Sequence, residues 1–171
     1  MNTQCLALDL HRFDLRFAGA RVAEPRAVER IARSIERGGQ IVPCVAVADP
    51  PVEVLQGGER LVLIDGYRCI AALRRLGRDT ARVECWACDL AEAVLGVLAR
   101  SQSRPLVAIA EALLVRELVQ GLGLSQHEVA RRSGHDVSRV SRRLQLLAGL
   151  PDAILLAVCQ RQPEIRRKPP V

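Results

Sequence analysis

The sequence has no run of about 18 apolar residues of the kind a membrane-spanning helix needs. Its first residues also lack the basic-then-apolar order of an export signal. Neither membrane insertion nor secretion is expected, which places the chain in the cytoplasm. No acidic pair or histidine set offers a catalytic metal site. The six cysteines are scattered rather than arranged as a disulfide framework, and in a cytoplasmic chain they are expected to stay reduced, most of them as small core residues. Cys85 and Cys88 have zinc-like spacing, but no second pair stands at a fitting distance to complete the shell, so Cys85-Trp86-Ala87-Cys88 reads as structural. Trp86, the only tryptophan, is expected to pack under a sheet.

What the chain does have is enough apolar material for a core: 171 residues, 49% of them hydrophobic, fit one compact domain or two small ones. Its charge is unevenly spread. From Gly123 onward nine Arg or Lys stand against four acids (+5), while the remainder holds sixteen against fifteen (+1), together the net +6. A basic block of this kind favours a polyanionic partner, because each phosphate neutralised releases condensed counterions.

Gln4–Leu10 alternates apolar and polar residues as an edge strand does. Pro25 opens a helix whose Val28, Ile31, Ala32 and Ile35 share one face, and Gly38-Gly39 ends it. Ile41–Ala48 reads as a buried strand, Asp49-Pro50-Pro51 as a turn, and Val52–Leu55 with Arg60–Ile64 as a hairpin around Gly57-Gly58. A helix from Gly66 to Leu76 stops at Gly77 and is followed by a strand, Thr80–Trp86. Beyond Asp89 only helices are indicated: 91–99, 106–120, 126–133, 137–147 and a short one from Pro151. The expected class is α+β, with a small α/β domain over 1–88, a helical region over 89–162, and a basic, disordered tail over 163–171.

The sharpest local signal lies at 124–147. Ser125 and Glu128 form a capping box, Ala130 is small where a second helix must pass, Gly134 suits a tight turn, and Asp136 is placed to cap the next helix. In that next helix Val140, Leu144 and Leu147 face inward, which leaves Ser138, Arg139, Arg142 and Arg143 for the outside. This is the pattern of a helix-turn-helix, whose second helix presents arginine and serine to base edges in the major groove. Gln126, His135, Ser138, Arg139, Arg142 and Arg143 are the expected DNA-binding residues, and double-stranded DNA the expected partner. Ser133 departs from the pattern, standing where such motifs bury a large apolar residue; Arg143 too stands where an apolar one is common. His127 and His135 flank the turn and are too few to make a zinc shell.

The stretch Ile31–Leu150 resembles the ParB family of partition and plasmid-regulatory proteins. The resemblance rests on Ser34-Ile35 with Gly39-Gln40 and Pro43, on Leu63-Ile64-Asp65-Gly66-Tyr67-Arg68 with Ala71-Ala72 and Gly77, and on a helix-turn-helix followed by Leu146-Leu147 and Leu150-Pro151. It implies a ParB/sulfiredoxin-like N-terminal domain, a central DNA-binding helix-turn-helix, and a role in partition or mobile-element regulation. The family's C-terminal dimerisation domain has no counterpart here, so a homodimer would have to use the N-terminal domain or helices such as 106–120.

The resemblance also implies a nucleotide-phosphate site at Gly66, Tyr67 and Arg68, with CTP as the ligand. Of the family's Gly-Glu-Arg-Arg-x-Arg motif only Gly66 and Arg68 match; Tyr67, Cys69 and Ala71 replace the Glu and two Arg. A second motif, Glu-Asn-x-x-Arg, falls near Arg100, Ser101, Gln102, Ser103 and Arg104 without its Glu and Asn. Two positive charges are thus lost where a triphosphate would sit, and Arg74, Arg100 or Arg104 would have to replace them. No catalytic residue is expected, and CTP turnover is not. The rival readings are a CTP-dependent switch and a sulfiredoxin-like phosphoryl-transfer enzyme built on the Gly66 loop. Against the latter, sulfiredoxin places its cysteine immediately before His-Arg, whereas Arg68 precedes Cys69 and no histidine is near.

Overall fold

The structure, a computed structural model, describes residues 3–21, 24–49, 60–101, 106–151, 153–155 and 157. The expected strand Val52–Leu55 with its Gly57-Gly58 turn, the residues Gln102–Arg104, and the basic tail lie outside them.

Five described strands form one sheet: β1 (Thr3–Asp9), β2 (Phe13–Asp14), β3 (Cys44–Ala48), β4 (Leu61–Asp65) and β5 (Thr80–Trp86), in the order β1-β5-β3-β4-β2. β1 lies at the edge, as its alternation implies, and runs antiparallel to β5 from Thr3 opposite Trp86 to Asp9 opposite Thr80. β5 and β3 are parallel, β3 and β4 antiparallel, β4 and β2 parallel. β3, second in from neither edge, is buried along its whole length, and its sequence Cys-Val-Ala-Val-Ala has the unbroken apolar character such a strand requires.

Helix α1 (Pro25–Gly38) starts at a proline that fits the first turn and stops where Gly39 takes φ 70°, a left-handed backbone that side chains disfavour. Its buried residues, Ala27, Ala32 and Ile35, lie on the face the spacing indicates. α2 (Tyr67–Arg75) packs on α1 and on β3 and β5. The strand expected from Ile41 begins only at Cys44; Ile41 and Val42 are 71% and 66% exposed. The cause is Gln40. Its side-chain amide donates to the Val42 carbonyl at 3.0 Å and the Arg82 carbonyl at 2.8 Å, its Oε1 accepts from the Arg82 amide at 2.7 Å, and the loop is pinned to β5 before a strand can start.

After Trp86 the described elements are helical: α3 (Leu90–Arg100), α4 (Ala108–Arg116) continuing as a π-helical turn (Glu117–Gly121), α5 (Gln126–Ser133) and α6 (Val137–Ala148). Asp89 caps α3 by accepting from the Glu92 amide at 2.8 Å. Trp86 packs against α3 rather than beneath the sheet alone: a Cβ at Gly96 would stand 2.9 Å from the indole, so glycine is what lets the helix lie on the ring. The indole N–H donates to Glu84 at 2.8 Å, and the Arg100 guanidinium lies 4.4 Å over the ring. α4 is apolar nearly all round and buried accordingly, from Ala110 to Val115. One cluster of buried side chains runs from Leu8 in the sheet through Leu98 and Leu114 to Val140 and Leu147 in the last helix. Each fully buried leucine or isoleucine, such as Ile70 or Leu118, contributes about 1.5–3 kcal/mol relative to exposure. Among the described residues no helix is long and apolar enough to cross a membrane, and no group of His, Cys, Asp or Glu is set to hold a metal.

Candidate nucleic-acid interface

The helix pair forms as the local signals direct. Ser125 accepts from the Glu128 amide at 3.1 Å at the start of α5. Gly134 takes φ 71°, ψ 25°, the left-handed turn that ends α5 and redirects the chain into α6. Ser133 does not leave a hole where a larger residue is customary: it is buried, its hydroxyl donates to the Val129 carbonyl at 2.6 Å, and His135 Nδ1 lies 3.1 Å from both its Oγ and its carbonyl. Asp136 occupies the position before α6, but its side chain makes no capping bond, contrary to the sequence expectation. Its carbonyl instead receives the first amides of the helix, from Arg139 and Val140. Val129, Ala130, Val140 and Leu147 are buried between the helices, with Leu144 packed beside them.

Ser138 and Arg142 are exposed on α6, one helical turn apart, and Gln126 and His135 are half-buried at the near end of α5 and in the turn. Arg139 and Arg143 sit differently, turned toward α4. Arg139 donates from Nε and Nη2 to the two oxygens of Glu111 at 2.8 and 3.0 Å, and Arg143 Nε lies 3.1 Å from the same carboxylate. Glu111 keeps only 4% of its side chain exposed, against 39% for Arg139 and 27% for Arg143. Burial pushes its carboxyl up, but the two guanidinium groups outweigh that and hold it below its ordinary range. Sequence reasoning missed Glu111. The signal was present as a single charge inside the apolar run Ala108–Val115, which a buried helix tolerates only with a partner. A further pair, Arg132 to Glu92 at 3.7 Å, ties α5 to α3.

The Gly66 loop joins β4 to α2. Gly66 takes φ 101°, and its amide donates to the Asp65 carboxylate at 2.8 Å. Tyr67 is buried, donates its hydroxyl to the Leu63 carbonyl at 2.6 Å, and lies 5.5 Å beneath Arg21. Burial raises its pKa, so it stays a neutral phenol. Arg68 pairs with Glu24 at 3.0 Å. Of the three cations named as replacements for the two missing arginines, Arg74 is half-buried in the last turn of α2, Arg100 stacks on Trp86, and Arg104 lies outside the described residues. With the Gly66 amide engaged and Asp65 and Glu24 set around the loop, these residues do not fit a triphosphate.

No family model matches the chain. It is 27% identical over 149 residues, 86% of its length, to the nucleoid occlusion protein of Lysinibacillus sphaericus (strain C3-41). The same identity over the same length holds for the nucleoid occlusion protein of Halalkalibacterium halodurans. The chain spans about half of these curated relatives, 47% and 49%. Among solved structures, the Pnob8-like ParB-N domain superposes with a TM-score of 0.55 at 14% identity, over 94% of this chain and 74% of that one. The fold is therefore that of a ParB N-domain, a mixed sheet with helices around it.

Proposed function

We propose that this ParB-like chain binds double-stranded DNA sequence-specifically through α5 and α6, as a partition or nucleoid-occlusion protein. The observation that carries the reading is the exposed pair Ser138 and Arg142 on one face of a helix whose opposite face, Val140 and Leu147, is buried against its partner. A guanidinium offered in this way grips guanine O6 and N7, and a serine hydroxyl reaches bases or phosphates. Gln126 and His135 flank that face, and the stretch from Gly123 onward carries +5 of the net +6 charge. The geometry of the Gly66 loop favours DNA binding without a nucleotide.

The test is binding of the wild type and Arg142→Ala to a duplex selected by the wild type from a random pool, and to a scrambled duplex, each with and without CTP. Arg142→Ala is expected to weaken selected binding by about 1–3 kcal/mol and scrambled binding less, with CTP changing neither. Equal loss on both duplexes would reduce Arg142 to a phosphate contact. Affinity independent of salt would remove DNA as the partner, and tightening or release on adding CTP would restore the nucleotide switch.

A further inference from the structure

The ion-paired triad between α4 and α6 has a consequence for recognition that rests on the DNA-binding reading above. We propose that Glu111 is the positioning residue of the interface: it retains Arg139 and Arg143 on the inner edge of α6, so that Ser138 and Arg142 alone on that helix meet the groove.

Three observations converge. The carboxylate spends both oxygens on Arg139, through Nε and Nη2 at 2.8 and 3.0 Å, which is the same two-pronged geometry that guanidinium would need for guanine. A fork so occupied is not available to a base. Glu111 is 4% exposed, so releasing either arginine leaves a buried carboxylate less compensated, whereas releasing Arg142 leaves nothing behind. Arg139 and Arg143 are one turn apart on α6, so a single carboxylate grips the helix at two levels and fixes its rotation as well as its distance from α4. Glu111 touches no DNA in this arrangement; it acts through the two arginines.

The experiment compares the wild type, Glu111→Gln and Arg139→Gln on the selected and scrambled duplexes over a salt series, with circular dichroism as the check on folding. Glu111→Gln keeps the shape and removes the charge. It is expected to free two cations, steepening the slope of log affinity against log salt by about one to two. Scrambled binding should rise, and the ratio of selected to scrambled affinity should fall at least tenfold. A folded Glu111→Gln protein with wild-type slope and ratio would overturn the proposal. Arg139→Gln decides independently, even if Glu111→Gln fails to fold: a retained arginine contributes no phosphate contact, so the wild-type slope should persist. A slope shallower by about 0.9 would place Arg139 on a phosphate and overturn the proposal. If the wild type itself prefers neither duplex, the DNA-binding reading fails first, which separates the two outcomes.

Discussion

The backbone of Gly66 passes directly against the side chain of Cys44: a Cβ at Gly66 would stand 2.6 Å from the cysteine sulfur and 2.8 Å from its Cβ. The same residue takes φ 101°. Both conditions admit only glycine.

Gly66→Ala is therefore expected to destabilise the fold by about 2–5 kcal/mol, from backbone strain and overpacking together. Chemical denaturation checks this. A Cys44→Ala background should recover part of the loss and not all, because the clash with the Cys44 Cβ persists.

Glu111 makes stability depend on acid. The arginines hold its carboxyl below the ordinary range, a depressed folded-state pKa, so its contribution is complete above the unfolded value and lost as pH falls through the folded one. The wild type should be more stable than Glu111→Gln near neutrality by about 1–3 kcal/mol, less than for a fully buried pair because Arg139 is partly open to water. Denaturation midpoints of the two proteins should converge as pH drops below the carboxylate range. A constant difference at all pH values would mean that the charge of Glu111 contributes nothing.

Cys44 and Cys69 titrate as opposites. The interaction between the two thiols lowers Cys69 against an opposing effect of burial, and the same interaction together with burial drives Cys44 far upward. Alkylation by iodoacetamide near neutral pH, followed by mass spectrometry, should modify Cys69 well before Cys44. Cys44→Ala should slow the reaction at Cys69; an unchanged or faster rate would show that Cys44 does not activate it.

Elements specified by neighbouring residues were legible in the sequence. The Gly39 stop of α1, the alternation in β1, the Ser125 cap and the Gly134 turn each depend on a few adjacent positions, and each stands close to where its signal indicates. Elements specified by distant partners were not. Ile41 and Val42 have strand-forming side chains but are held out of the strand by Gln40 and Arg82, 42 residues apart. β2 is two residues long and exists through its pairing with β4. The helix over 106–120 changes to a π-helical turn after Arg116, which periodicity does not foretell. At the interface the basic residues of α6 were all visible, but their division into an exposed arginine and two bound ones depends on a carboxylate from another helix.

Trp86 stands where the sheet gives way to the helices, its ring against Gly96 of α3 and under the Arg100 guanidinium. Because the chain has no other tryptophan, its ultraviolet emission is a built-in optical probe of that junction. A cation stacked on the indole and a carboxylate on its N–H make the emission sensitive to small displacements. Loosening of the helical half from the sheet, during a DNA titration or on warming, should shift the spectrum of the unlabelled protein.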